Sequence, residues 1–182
     1  MSQSLAPALL LSMPQLMDPN FSKTVVLLCQ HGEDGAFGLV LNRPAVTSGR
    51  VVVNLDPPVS TDRSLEIWVG GPVEPQRSWI LVGGDMAAEE GLQVAPGISL
   101  STSPELLRRS IGPEPPARTR LIVGYSGWGP GQLEAELEES AWLLSEVDAG
   151  LVFDTDPEWM WETAIRRLGA DPALLQGSRG VH

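Results

Sequence analysis

The stretch Gly124-Tyr125-Ser126-Gly127-Trp128-Gly129-Pro130-Gly131-Gln132-Leu133-Glu134 constrains this chain more than any other. The apolar run Leu121 to Tyr125 enters it and predicts a buried strand. Four glycines and Pro130 then force a turn, beyond which Leu133, Leu137, Ala141 and Leu144 form an apolar stripe at helical spacing. Strand, glycine loop and long acidic helix are therefore expected in succession. Gly127 or Gly129 should hold a backbone conformation hostile to a side chain.

The loop's chemistry is less specific than its shape. A bare helix start favours anions through its unpartnered N–H groups. Here Pro130 removes a donor, and Glu134 and Glu136 bring negative charge close by. The Lys-Ser/Thr of a phosphate-binding P-loop is absent, so glycines packing a loop onto a sheet is the preferred reading. A nucleophile elbow requires glycine two residues after its serine, where this chain has Trp128. The only histidines are His31 and His182, which leaves His31 as the one base for Ser126. His31 also lies beside Glu33 and Asp34, but a histidine and two adjacent acids lack metal-ligand spacing. It reads as a turn histidine, and neither a metal nor a cofactor is expected.

Length and composition indicate a single domain over residues 1–175, with 176–182 a flexible C-terminal tail. No apolar run approaches the ~20 residues that cross a bilayer, and no positive region precedes the first apolar stretch. With Cys29 as the single cysteine, a cytoplasmic protein is expected. Charge is unevenly spread. Ten of the 23 acidic residues fall between Leu121 and Ile165, a span without lysine or arginine, and the net charge is −11. Such a surface opposes phosphate backbones, so specific DNA binding is not expected. Glu134, Glu138 and Glu139 should project from the helix and offer a field to a basic protein partner.

Taken in order, Ala8 to Leu11 predicts a strand, Thr24 to Cys29 a central strand, and His31 to Gly35 a hairpin leading into Ala36 to Leu41. Residues 45–64 read as a surface excursion around Val51 to Val53. Strands follow at Leu65 to Val69, which delivers Gly70-Gly71, and at Ser78 to Val82. Gly91 to Ser101 should give one or two more, broken at Pro96-Gly97. Ser103-Pro104-Glu105 and Asp156-Pro157-Glu158 are helix starts with a capping side chain, a proline and an acid in the first turn. Between them Gly150 to Phe153 reads as a final strand. Met160, Ala164, Ile165 and Leu168 make the buried stripe of the last helix, with Trp159 off it and Gly169 at its end.

With these residues in place the chain resembles the YqgE/AlgH family of bacterial proteins. The resemblance rests on Met13-Pro14, Asp18-Pro19 and Phe21, on Gly35 to Pro44, on Gly70-Gly71-Pro72-Val73, and on Gly124 to Trp128 with Gly131-Gln132-Leu133-Glu134 and Ala141-Trp142-Leu143. It implies an α+β fold whose mainly antiparallel sheet is bifurcated, partly barrel-like and flanked by helices. It also brings the label of transcriptional regulator that some members bear, and no catalytic residues. Three positions depart from the usual pattern: Gln30 for glutamate, Ser126 for alanine and Ser140 for asparagine.

Three functions compete. A binding module for a protein or small ligand ranks first, supported by the incomplete catalytic set and the glycine-lined strand ends. Its candidate ligand-binding residues are His31, Asn42, Gly70, Gly71, Ser126, Gly127, Trp128 and Gln132. An enzyme assembled from distant residues, around His31, Asn42, Ser126 and Gln132, ranks second. A regulator without direct DNA binding ranks third.

Overall fold

The computed structural model describes residues 4–13, 23–47, 51–53, 59–61, 65–84, 91–111 and 118–172. The expected tail at 176–182 lies outside them. The chain opens with β1 (Ala8–Ser12), β2 (Val25–Gly32) and β3 (Gly35–Val40), antiparallel neighbours in that order. Their runs are apolar without alternation because both faces are covered. Leu9, Leu11, Val25, Leu27 and Leu39 enter one core cluster. Leu10, Val26, Leu28 and Val40, pointing the other way, enter a second.

The excursion that follows holds short strands. β4 (Pro44–Thr47) pairs with β7 (Leu65–Val69), and β5 (Val51–Val53) with β6 (Val59–Thr61). Next come β8 (Val73–Gly83), β9 (Leu92–Ala95), β10 (Ile98–Ser101) and α1 (Pro104–Ile111). The chain then builds β11 (Thr119–Trp128), α2 (Gln132–Glu138), β12 (Trp142–Ser145), α3 (Ala149–Asp154) and α4 (Pro157–Arg167). The sheet runs β12-β1-β2-β3-β11-β8-β10-β9, with β7 also on β11. This is an α+β fold: mainly antiparallel strands in a curled half-barrel, with helices against it. No helix among the described residues is long and apolar enough to cross a membrane.

The sheet forks at β11. Its first half pairs antiparallel with β8 and parallel with β7, while Ser126 to Trp128 pair with β3. The register shifts between Val123 and Tyr125, where Gly124 takes φ +75°. Gly70 and Gly71 cross at this point, so close that a Cβ on Gly71 would lie 2.3 Å from the Tyr125 carbonyl. Strain was expected at Gly127 or Gly129. Neither has a positive φ, and a Cβ on Gly127 would first meet Tyr125 at 3.6 Å. The strand continues through Gly127 to Trp128, so the turn starts later, at Gly129.

Two elements differ from the sequence expectation. The acidic helix is short: α2 stops at Glu138, closed by bonds from Ser140 N–H to the Leu137 carbonyl (3.0 Å) and Ala141 N–H to the Glu136 carbonyl (2.9 Å). This is a Schellman closure with Ser140 left-handed at φ +59°, a conformation asparagine or glycine adopts more readily. Leu144 consequently sits on β12, and the apparent stripe joins a helix to a strand. Gly150 to Phe153 form α3 instead of a strand, because Asp148 caps the turn by accepting from Gly150 N–H at 2.9 Å. Leu151, Val152 and Phe153 are all buried, which removes the polar face that would mark a helix. On α4, Met160, Ala164 and Ile165 are buried as expected, Trp159 is 53% exposed, and Leu168 falls past the helix end and is exposed.

Candidate functional site

A cleft of about 870 Å³ opens where the β2–β3 hairpin, β9, β11 and the segment before β1 converge. Phe37, Val73, Val94 and Tyr125 supply its apolar side, and Glu33 and Asp34 at the hairpin tip supply charge. Leu92, 57% exposed, adds apolar surface on β9. Among the described residues that line it there is neither lysine nor arginine. The aromatic side is held rigidly. Phe37 stacks on Trp79 at 5.5 Å, and Tyr125 meets both edge-on at 6.1 and 6.2 Å. Gly127 pairs with Phe37 across β11 and β3, so its missing side chain leaves the cleft open beside the rings. A hydrogen bond to Glu74 raises the Tyr125 hydroxyl above its ordinary value, which keeps it protonated.

His31 lies at the end of β2, with Glu33 and Asp34 forming the turn itself. Its side chain is 3% exposed. Leu5 N–H donates to Nδ1 at 3.1 Å, so the ring proton is assigned to Nε2, which donates to Glu134 Oε1 at 3.1 Å. Both nitrogens are engaged, so a metal or a substrate proton could reach Nδ1 only by displacing the Leu5 N–H. The His31 bond, followed by backbone bonding and against some desolvation, holds the Glu134 carboxyl below its usual range. No metal-binding group of three or more His, Cys, Asp or Glu occurs among the described residues.

Cys29, half-buried, also lines the cleft. Its thiol donates to the Leu27 carbonyl at 3.4 Å, and burial pushes it up to about 12. The thiolate fraction is thus roughly three powers of ten below that of a free thiol, while higher basicity returns part of the reactivity. Native protein at pH 8 should react with a disulfide reagent about a hundredfold more slowly than protein in urea. Equal rates would contradict the assignment. Because the folded value is raised, the thiol's contribution to stability is complete below about pH 8.5 and is lost as pH rises toward 12.

Other residues singled out from sequence belong to the frame. The buried Ser126 hydroxyl donates to the Gly70 carbonyl at 3.1 Å, fastening the crossing and leaving no Ser126–His31 couple. Asn42 accepts from Val25 N–H at 3.1 Å and donates to the Lys23 carbonyl at 3.0 Å. Gln132 accepts from Gly129 N–H at 2.9 Å and donates to Glu136 at 3.0 Å. Trp128 and Trp142, edge to face at 6.0 Å, donate their indole N–H groups to the same Glu136 oxygen at 3.0 and 2.8 Å. The structure therefore brings His31, Gly127 and Trp128 to the cleft. Asn42, Gly70, Gly71, Ser126 and Gln132 lie off it, Glu138 and Glu139 are exposed, and Glu134 is tied to His31. Sequence reasoning missed Phe37 and Tyr125 as cleft residues. Their only signal was membership of the motifs at Gly35 to Pro44 and Gly124 to Trp128.

A forked half-barrel with a glycine crossing and an acid-rimmed cleft defines the class of domain. Its sequence matches the AlgH-like family over residues 9–173. A UPF0301 protein of Myxococcus xanthus is 42% identical, with 99% of each chain covered. Another, from Ruegeria pomeroyi, is 39% identical over 94% of this chain and 96% of its own. The solution structure of the AlgH protein from Pseudomonas aeruginosa superposes with a TM-score of 0.71 at 33% identity, covering 96% of this chain and 95% of that one. A Corynebacterium diphtheriae crystal structure shares the fold at 18% identity, with a TM-score of 0.66 and 97% and 91% covered. The chain belongs to the AlgH-like family.

Proposed function

We propose that this protein is a binding module whose cleft receives an apolar segment of a basic protein partner. The observation that carries this reading is the composition of the cleft: an aromatic side beneath Glu33 and Asp34, with no lysine or arginine among its described lining residues. Apolar contact supplies affinity there, and the acids select against negatively charged segments. The state of the reactive side chains points the same way. His31 is bonded at both nitrogens, Ser126 is buried in a bond to Gly70, and the Cys29 thiol stays protonated. Binding is therefore favoured over nucleophilic or base catalysis. Any part in transcription would run through a protein contact, since the net charge of −11 opposes duplex DNA.

Selection from a random peptide library tests the reading. Retained peptides should combine lysine or arginine with aliphatic or aromatic residues. Glu33→Gln with Asp34→Asn should weaken them about fivefold at low salt, the scale of two exposed charges. The difference should shrink as salt shortens the Debye length from roughly 10 Å at 0.1 M toward 3 Å at 1 M. Glu138→Gln with Glu139→Gln should slow association with little change in dissociation. Enrichment of acidic peptides, or unchanged binding by the Glu33/Asp34 variant, would refute the proposal.

A further inference from the structure

The segment before β1 is a wall of the cleft, contributing Ser4, Ala6 and Pro7. Leu5 and Ala6 pack against the cluster built around Trp128, Leu133 and Trp142. Its polar anchor to the sheet is the bond from Leu5 N–H to His31 Nδ1 at 3.1 Å, spanning 26 positions of sequence. That bond is unusual in its acceptor. A carbonyl would hold the segment at any pH, whereas an imidazole nitrogen accepts only while it is unprotonated.

From this geometry we infer that His31 is a proton-operated latch: protonation of Nδ1 releases the segment that walls the cleft. A proton and the Leu5 amide compete for the same lone pair. Once Nδ1 carries hydrogen, two N–H groups face each other and the bond is lost. The opposite side of the ring has no such conflict. Nε2 is already a donor to Glu134, whose carboxyl lies below its usual range and so is ionised as the acceptor. The imidazolium thus keeps its bond to α2 while it loses the bond to the strap. The charged groups around it favour this exchange. Glu134 faces it from α2, and Glu33 and Asp34 stand at the hairpin tip beyond it. From β3 its paired neighbour is Ala36, from β11 the cleft receives uncharged Trp128, and from β9 uncharged Gln93. Cys29, two positions back on β2, is a neutral thiol that burial pushes up to about 12.

The consequence for binding rests on reading the cleft as the partner site. Release of Ser4, Ala6 and Pro7 would widen it along one side and remove apolar wall, so a bound segment is held while Nδ1 is unprotonated and let go once it carries a proton. The sign follows from the bond: the strap is attached above the His31 titration and free below it.

Amide hydrogen exchange on the unmodified protein without any partner tests the latch, with the His31 ring protons followed by NMR through the same pH series. The protection of Leu5, corrected for the intrinsic pH dependence of exchange, should fall at least about fivefold as the ring titrates, the scale of one lost hydrogen bond. The amides of Leu27 and Leu39 serve as internal references and should hold. His31→Gln offers an acceptor that does not titrate, and its Leu5 protection should be flat over the range. Protection in the unmodified protein that ignores the ring's titration would overturn the latch, whatever the variant does. Peptides from the library selection then separate the two readings. Loss of affinity over the same pH interval supports the gate, and unchanged affinity despite strap release overturns the gating role. If no peptide binds at any pH, the partner reading fails and exchange alone decides the latch.

Discussion

Gly71→Ala should lose at least about 3 kcal/mol of stability, or fail to fold. A Cβ at this position would lie 2.3 Å from both the carbonyl carbon and oxygen of Tyr125 and 2.5 Å from Ser126 nitrogen, at a φ of +153°. All three atoms are backbone, so no rotamer change relieves the clash. β11 would have to move away from the chain leaving β7, where the fork is built. For a domain of this size the melting temperature should fall by about 6–12 °C. Gly124→Ala should behave similarly, since its φ is +75° and its Cβ would meet Gly71 oxygen at 2.4 Å. Gly127→Ala is the control. Its nearest atom would be Tyr125 Cε2 at 3.6 Å, an ordinary contact, so its cost should stay within about 1 kcal/mol. A Gly71→Ala protein that melts with its parent would show that the crossing relaxes freely.

The contrast between these glycines marks how far sequence could reach. Glycine density at 124–131 announced a close approach, but the position of the strain depends on which backbone crosses there. Gly70-Gly71, more than fifty positions earlier, makes that crossing. Strands were legible, even at five residues, where apolar runs were bounded by glycine, proline or acids, as in β1, β2 and β7. β12 and α3 were exchanged for helix and strand because each is short and lacks its own pattern, Leu144 of β12 falling at helical spacing from Leu133, Leu137 and Ala141. A run that short does not carry a period, and burial of Leu151, Val152 and Phe153 together erases the one it has. The cleft was the least legible feature. His31 and Gly127 were identified singly, yet nothing local announces that Phe37 pairs with Gly127 or that Leu5 reaches His31. Those are properties of register and strand order, which motifs record without explaining.

Glu136 shows the same limit in its energetics, and Glu136→Ala should rank with the glycine variants. From sequence it was one acid among ten, noted only for the negative charge it brings close to the glycine loop. In the fold its carboxylate receives three hydrogen bonds, from Trp128 and Trp142 on one oxygen and Gln132 on the other. Both tryptophan residues are buried in the second core cluster, so their indole N–H groups have little recourse to water. Leaving a buried donor without an acceptor costs about 1–3 kcal/mol, and two are at stake. The expected loss is about 2–4 kcal/mol, with tryptophan emission shifting as the edge-to-face pair loosens. Glu136→Gln separates hydrogen bonding from charge. Its amide oxygen can still accept from both indoles, while its NH2 group opposes the donor of Gln132, so it should recover more than half of the loss. If Gln and Ala are equally destabilised, charge and not the paired indoles sets the value of Glu136. If neither is destabilised, the Gln132–Glu136–Trp142 motif is not holding α2 to the sheet.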